Sequence, residues 1–184
     1  MLSTLLEQAI VLAIAIALLG VPGAALVSLL RVRAALPDTL AVPAGALLGL
    51  LVACVATAVQ LALSTRVGWA VATHVALSIA LVVAAVFVHR RRRAAGAATV
   101  PVGRGWSKVT TALALAAGAF AWVVRGTISL DGLYHVAVTR KLVELAEPTF
   151  SNVNRFADGG PNPAYALPAW HALVGWTGWL AGSD

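Results

Sequence analysis

The 184-residue sequence is 60% hydrophobic and 11% charged, with a mean hydropathy of +0.90, whereas a soluble domain carries about 25% charged residues. A domain of this size leaves too much surface exposed to hide such an apolar content from water, so lipid must be part of its solvent. The net charge of +6 and the pI near 10.8 do not mark a nucleic-acid binder, because the basic residues sit between apolar runs and read as topology signals. The single cysteine, Cys54, excludes an intrachain disulfide and a thiolate metal cluster.

In chain order, the first apolar run is Leu5 to Leu30, closed by Arg31 and Arg33. It lacks the basic start of a signal peptide and is too long for a signal core, so it reads as a retained helix, kinked at Pro22-Gly23. The second run, Thr39 to Ser64, opens after Pro37-Asp38. The third, Trp69 to Val88, follows a short turn, and the fourth is Val109 to Val124. A last apolar segment, Ala164 to Gly182, contains Trp170, Trp176 and Trp179 and reads as a fifth crossing. Runs near 20 residues at 1.5 Å rise cover the hydrocarbon core of about 30 Å. The prediction is therefore an all-α, polytopic transmembrane helix bundle with four to five spanning helices plus one interfacial amphipathic helix. Its units are a three-helix membrane extension over 1–88, a basic loop over 89–108, and a module over 109–184.

Positive charge stays cytoplasmic. Arg31 and Arg33 follow the first run; Arg90 to Arg93, Arg104 and Lys108 follow the third. Two crossings separate these loops, so they share a side. The expected localisation is a multi-pass plasma-membrane protein with residues 89–108 cytoplasmic and the N-terminus and residues 125–162 extracytoplasmic. Arg90 to Arg93 read as a topology anchor, with a lipid-headgroup site as the alternative.

The chemistry-bearing stretch is Asp131-Gly132-Leu133-Tyr134-His135 through Leu142. Asp131 can cap the helix that follows, and Tyr134 and His135, at i+3 and i+4, share its face. Leu133, Val136, Ala137, Val138, Leu142 and Leu145 supply an apolar side, with Arg140, Lys141 and Glu144 off it. This is the pattern of an amphipathic helix lying at the interface. A polar, turn-rich loop from Glu147 carries Asn152, Asn154, Arg155 and Asp158-Gly159-Gly160, and leads into Pro163-x-Tyr165-x-x-Pro168 ahead of Trp170-His171.

This order of features over residues 109–184 resembles the first extracytoplasmic loop and flanking helices of the GT-C membrane glycosyltransferases, in particular the protein-mannosyltransferase-like and aminoarabinose-transferase-like branches. The leading helices, with Val21-Pro22-Gly23 and Leu30-Arg31-Val32-Arg33, look like the N-terminal extension of actinobacterial members. The resemblance implies a transferase with a polyprenyl-phosphate sugar as donor and the lipid bilayer as partner. It implies Asp131 as the catalytic acid, acting as general base or as ligand of a divalent metal ion. Tyr134, His135, Arg140, Lys141, Arg155, Tyr165 and His171 would then contact substrate or phosphate. Two departures stand beside it. Many relatives carry two adjacent acids where Asp131 is followed by Gly132, and GT-C enzymes have many more spans, so the chain reads as an N-terminal part that is inactive alone.

Each residue has a plainer reading. Asp131 can be a helix cap alone, His135 an interfacial polar group, and His171 or His74 a hydrogen-bonded imidazole within the bundle; a His135/His171 metal pair requires the intervening loop to fold back. Gln60 fits a helix end or bundle contact, and Trp106, Trp122, Trp170, Trp176 and Trp179 fit an aromatic belt. Two other functions remain open. One is a non-catalytic scaffold or lipid-binding protein. The other is a transporter fragment, on the strength of helices broken at Pro22 and Pro168.

Overall fold

The computed structural model describes residues 2–31, 38–96, 130–153, 155 and 168–182. The fourth predicted span, residues 109–124, lies outside them, as do Arg104, Lys108 and Tyr165. The described residues form α1 (Leu2–Leu29), α2 (Asp38–Ala62), α3 (Val67–Ala94), α4 (Leu130–Glu144), α5 (Phe150–Val153) and α6 (Ala169–Ala181). The all-helical class is as expected. Among the described residues, three helices are long and apolar enough to cross a membrane: Leu6–Leu29, Leu40–Ala62 and Val67–Ala94.

Helices α1 and α2 pack backbone to backbone, and glycine is the reason. A Cβ on Gly49 would fall 2.0 Å from the Leu19 carbonyl oxygen, and one on Gly23 would fall 2.0 Å from the Gly45 carbonyl oxygen. Gly45 and Gly49, four apart, therefore present a bare strip of α2 to α1. In lipid, where no hydrophobic force separates protein from solvent, such close approach is what holds helices together. Helix α1 runs unbroken through Pro22, whose side chain is fully buried. Gly23 thus serves the α1–α2 contact, and the Pro-Gly pair does not end the helix.

The chain turns from α2 to α3 through residues 63–66. Ser64 adopts φ 50, and the Thr65 amide donates to the Gln60 carbonyl at 3.0 Å. This is a left-handed helix stop with serine in the place glycine usually takes. Helix α3 then continues past Val88 through His89 and the four arginines to Ala94, and closes at Gly96, φ 67. The arginines are thus carried on a helix end, not in a loop. At 28 residues the helix is about 42 Å long, longer than the hydrocarbon core, so its basic last turns project beyond it. The Arg91 guanidinium stacks 4.7 Å over the Phe87 ring, which carries apolar contact up to the charged collar.

Between α1, α2 and α3 and the later helices lies one core. It contains Leu18, Ala53, Ala56, Leu61, Val71, Val138, Leu142, Val153 and Trp176. Two polar side chains stitch it together. Gln60 donates from Nε2 to the Leu142 carbonyl at 3.1 Å, and His74 Nε2 lies 2.8 Å from the Leu18 carbonyl.

The described part of the last apolar segment, α6, has 13 residues and measures about 20 Å, less than a full crossing. Trp179 sits against Gly68 and Trp176 against His74, so α6 runs opposite to α3 and ends near the 63–66 turn.

Candidate functional site

Helix α4 reaches the bundle on a stripe. Val138 and Leu142 are fully buried, while Leu133 and Val136 are exposed. The apolar side expected to lie along the interface is therefore divided. One part packs against the core and the other is left open. Helix α6 lies beside α4 at a distance set by Gly175, where a Cβ would meet Val143 Cγ2 at 2.8 Å and Thr139 Cγ2 at 3.4 Å.

That contact fixes the rest of the site. Helices running in the same sense repeat a contact one turn away, because residues four apart share a face. One turn before Thr139 is His135, and one turn before Gly175 is His171. Their rings meet accordingly, Nδ1 of His135 lying 2.7 Å from Nε2 of His171. The ring centroids are 4.9 Å apart and tilted by 30°. One nitrogen donates and the other accepts, so a single proton lies between them. Tyr134 stands edge-on to both rings, with centroids 5.6 Å from His135 and 6.3 Å from His171. His171 is buried.

The fold-back that spacing alone left open is thus made, for two of the predicted residues and Tyr134. Asp131 lies in the first turn of α4, which begins one residue before it. It is one turn ahead of His135 in register; its side chain lies outside the described residues. The basic residues are elsewhere. Arg140 is exposed and pairs loosely with Glu144 at 3.9 Å, a contact worth little in water. Lys141 donates from Nζ to the Arg155 carbonyl, which ties the end of α4 to the chain after α5. Helix α5 is capped reciprocally: the Thr149 hydroxyl accepts from the Asn152 amide at 3.2 Å, and Asn152 Oδ1 accepts from the Thr149 amide at 2.6 Å.

A divalent ion serving a phosphate leaving group takes oxygen ligands. Among the described residues no three or more His, Cys, Asp or Glu side chains converge, and the His135–His171 pair offers nitrogen. The side chain of Asp131, the ligand that the resemblance implies, lies outside the described residues.

Of two core residues that meet here, Trp176 was not visible as such in the sequence, while His74 takes its plainer reading. Trp176 is fully buried and so does not belong to an aromatic belt, while Trp170 and Trp179 are exposed. His74, buried against it with centroids 5.3 Å apart, is an interhelical hydrogen-bonding group. The signal available was position: Ala172, Gly175 and Trp176 fall on one face of α6, where two small residues leave room for a large one.

Comparison with known proteins finds no matching family model, no matching curated protein and no matching solved structure.

Proposed function

We propose that the chain belongs to an integral membrane glycosyltransferase that moves a sugar from a polyprenyl-phosphate donor on the extracytoplasmic face. The supporting observation is the meeting of Tyr134 and His135 with His171. Tyr134 and His135 belong to the first motif that carries the resemblance, and His171 follows the second, Pro163-x-Tyr165-x-x-Pro168. In this reading Asp131 takes the proton from an acceptor hydroxyl as its oxygen attacks the anomeric carbon, and the bond from that carbon to the phosphate oxygen breaks. Tyr134 and His135 contact the donor. Arg140 and Arg155, exposed, and Lys141, half-buried, lie toward the end of α4 and draw in its phosphate.

Sidedness supports the reading in part. The 63–66 turn carries only Arg66, while Arg31 and Arg90 to Arg93 lie at the other end of the spans, so the positive-inside rule puts the turn outside. The basic end of α4 lies toward this turn, because Leu142 accepts from Gln60. One observation favours the second reading, a non-catalytic helical membrane protein. Asp131 is about 16 Å back along α4 from Leu142, away from that turn and the lipid phosphates.

The test is sugar transfer by the full-length protein in right-side-out membrane vesicles supplied with a polyprenyl-phosphate sugar. The expected result is transfer that falls at least a hundredfold in Asp131→Asn with expression unchanged. No transfer above that of vesicles lacking the protein would leave the second reading standing; equal transfer by Asp131→Asn would remove Asp131 from the chemistry, and transfer confined to inverted vesicles would overturn the extracytoplasmic face.

A further inference from the structure

We propose that His135 and His171 form a binding site for a borderline divalent transition-metal ion of the Zn2+, Co2+ or Ni2+ class, which clasps α4 to α6. The site shares His135 with the proposed donor contact, but its test reads metal binding and not transfer, so the two can fail separately.

Three observations carry it. The two ring nitrogens face each other at 2.7 Å. Two imidazoles on a tetrahedral ion, with metal–nitrogen bonds of 2.0–2.1 Å, hold their nitrogens about 3.3 Å apart, so the nitrogens need to part by about 0.6 Å while both rings turn from their head-on approach toward a common point. The backbones behind them are held at the right separation by Gly175 against Thr139 and Val143, so the site is built by packing and does not have to be gathered on binding. Tyr134 stands edge-on to both rings and limits the directions in which they can swing.

Imidazole nitrogen selects borderline ions over magnesium or calcium. Both rings bind as neutral imidazoles. The proton now between them moves to the far nitrogen of the ring that carries it, so the charge of the pair does not change. The ion then replaces one weak link between α4 and α6 by two coordinate bonds. That matters for these helices in particular, because parallel neighbours need a long return connection, here residues 145–168.

The test uses the full chain, purified in detergent without a polyhistidine tag, in a Cys54→Ala background. Titration with Co2+ is expected to give a saturable visible absorption band at one ion per chain, displaced by added Zn2+. His135→Gln and His171→Gln, which keep side-chain hydrogen bonding and should preserve the circular dichroism spectrum, are each expected to weaken binding at least tenfold. His89→Gln, on the exposed end of α3, is expected to leave it unchanged. A Co2+ band that persists in both histidine variants, or no saturable band in the parent chain, would overturn the site.

Discussion

Replacing Gly49 by leucine should prevent α1 and α2 from closing, and the purified chain should lose its cooperative unfolding transition. The alanine variant isolates the cause. Its one added carbon would lie 2.0 Å from the Leu19 carbonyl oxygen, and backbone has no rotamer with which to move away. Overpacking of a well-filled site costs about 1–3 kcal/mol, and Gly49→Ala should stand at the top of that range because a whole helix must shift. Gly23→Ala, facing the Gly45 carbonyl at the same 2.0 Å, should behave alike. Gly20 supplies the control. It lies on the same helix between the two contacts, and a Cβ there meets nothing nearer than Ile16 Cγ2 at 4.0 Å. Gly20→Ala should be neutral or stabilising by up to about 1 kcal/mol through helix propensity. Unfolding in mixed detergent, followed by circular dichroism, measures all three. Equal midpoints for Gly20→Ala and Gly49→Ala would show that α1 and α2 do not make this contact.

Trp176→Ala should be the most damaging truncation in the later helices, costing about 3–5 kcal/mol as expected for a buried tryptophan. Trp176 is fully buried in the cluster that joins α1, α2 and α3 to α4 and α6, so the cavity would open where the two halves of the described bundle meet. Its indole nitrogen finds no partner among the described residues. Phenylalanine keeps most of the ring against His74 and removes that buried N–H, so Trp176→Phe should lose less than half as much as Trp176→Ala. The same unfolding measurement checks it. If the two variants were equally unstable, the hydrogen-bonding capacity of the indole would matter more than its volume, contrary to its surroundings here.

Much of the bundle was legible in the sequence because lipid makes a simple demand. A helix that must satisfy its own backbone and face hydrocarbon shows a long apolar run. Leu6–Leu29, Leu40–Ala62 and Val67–Ala94 show such runs. The end of α3 was less legible. Arginines read as a loop by composition, yet nothing in His89 to Arg93 breaks a helix, and the stop came only at Gly96. Packing was the least legible part. Gly23 looked like half of a kink signal beside Pro22, when its function was set by what α2 places opposite it. Trp176 looked like its neighbours Trp170 and Trp179, because a belt residue and a core residue have the same composition and differ only in which face of α6 they occupy. In the candidate site, the sequence picked out Tyr134, His135 and His171 but could not join them. Their meeting depends on α4 and α6 running in the same sense, and that is fixed by Gly175 against Thr139 and Val143, none of which carries chemistry of its own.

That parallel pairing is also what the site rests on, and a cysteine pair tests it without reference to activity. A Cβ on Gly175 would fall 2.8 Å from Val143 Cγ2, which brings the Cβ atoms of a Val143→Cys/Gly175→Cys pair within disulfide reach. In a Cys54→Ala background, mild oxidation in the membrane should link 143 to 175, with the linked peptides identified by mass spectrometry. If that link failed to form while a His135→Cys/Trp179→Cys pair joined readily, α4 and α6 would run in opposite senses, and His135 would be kept away from His171.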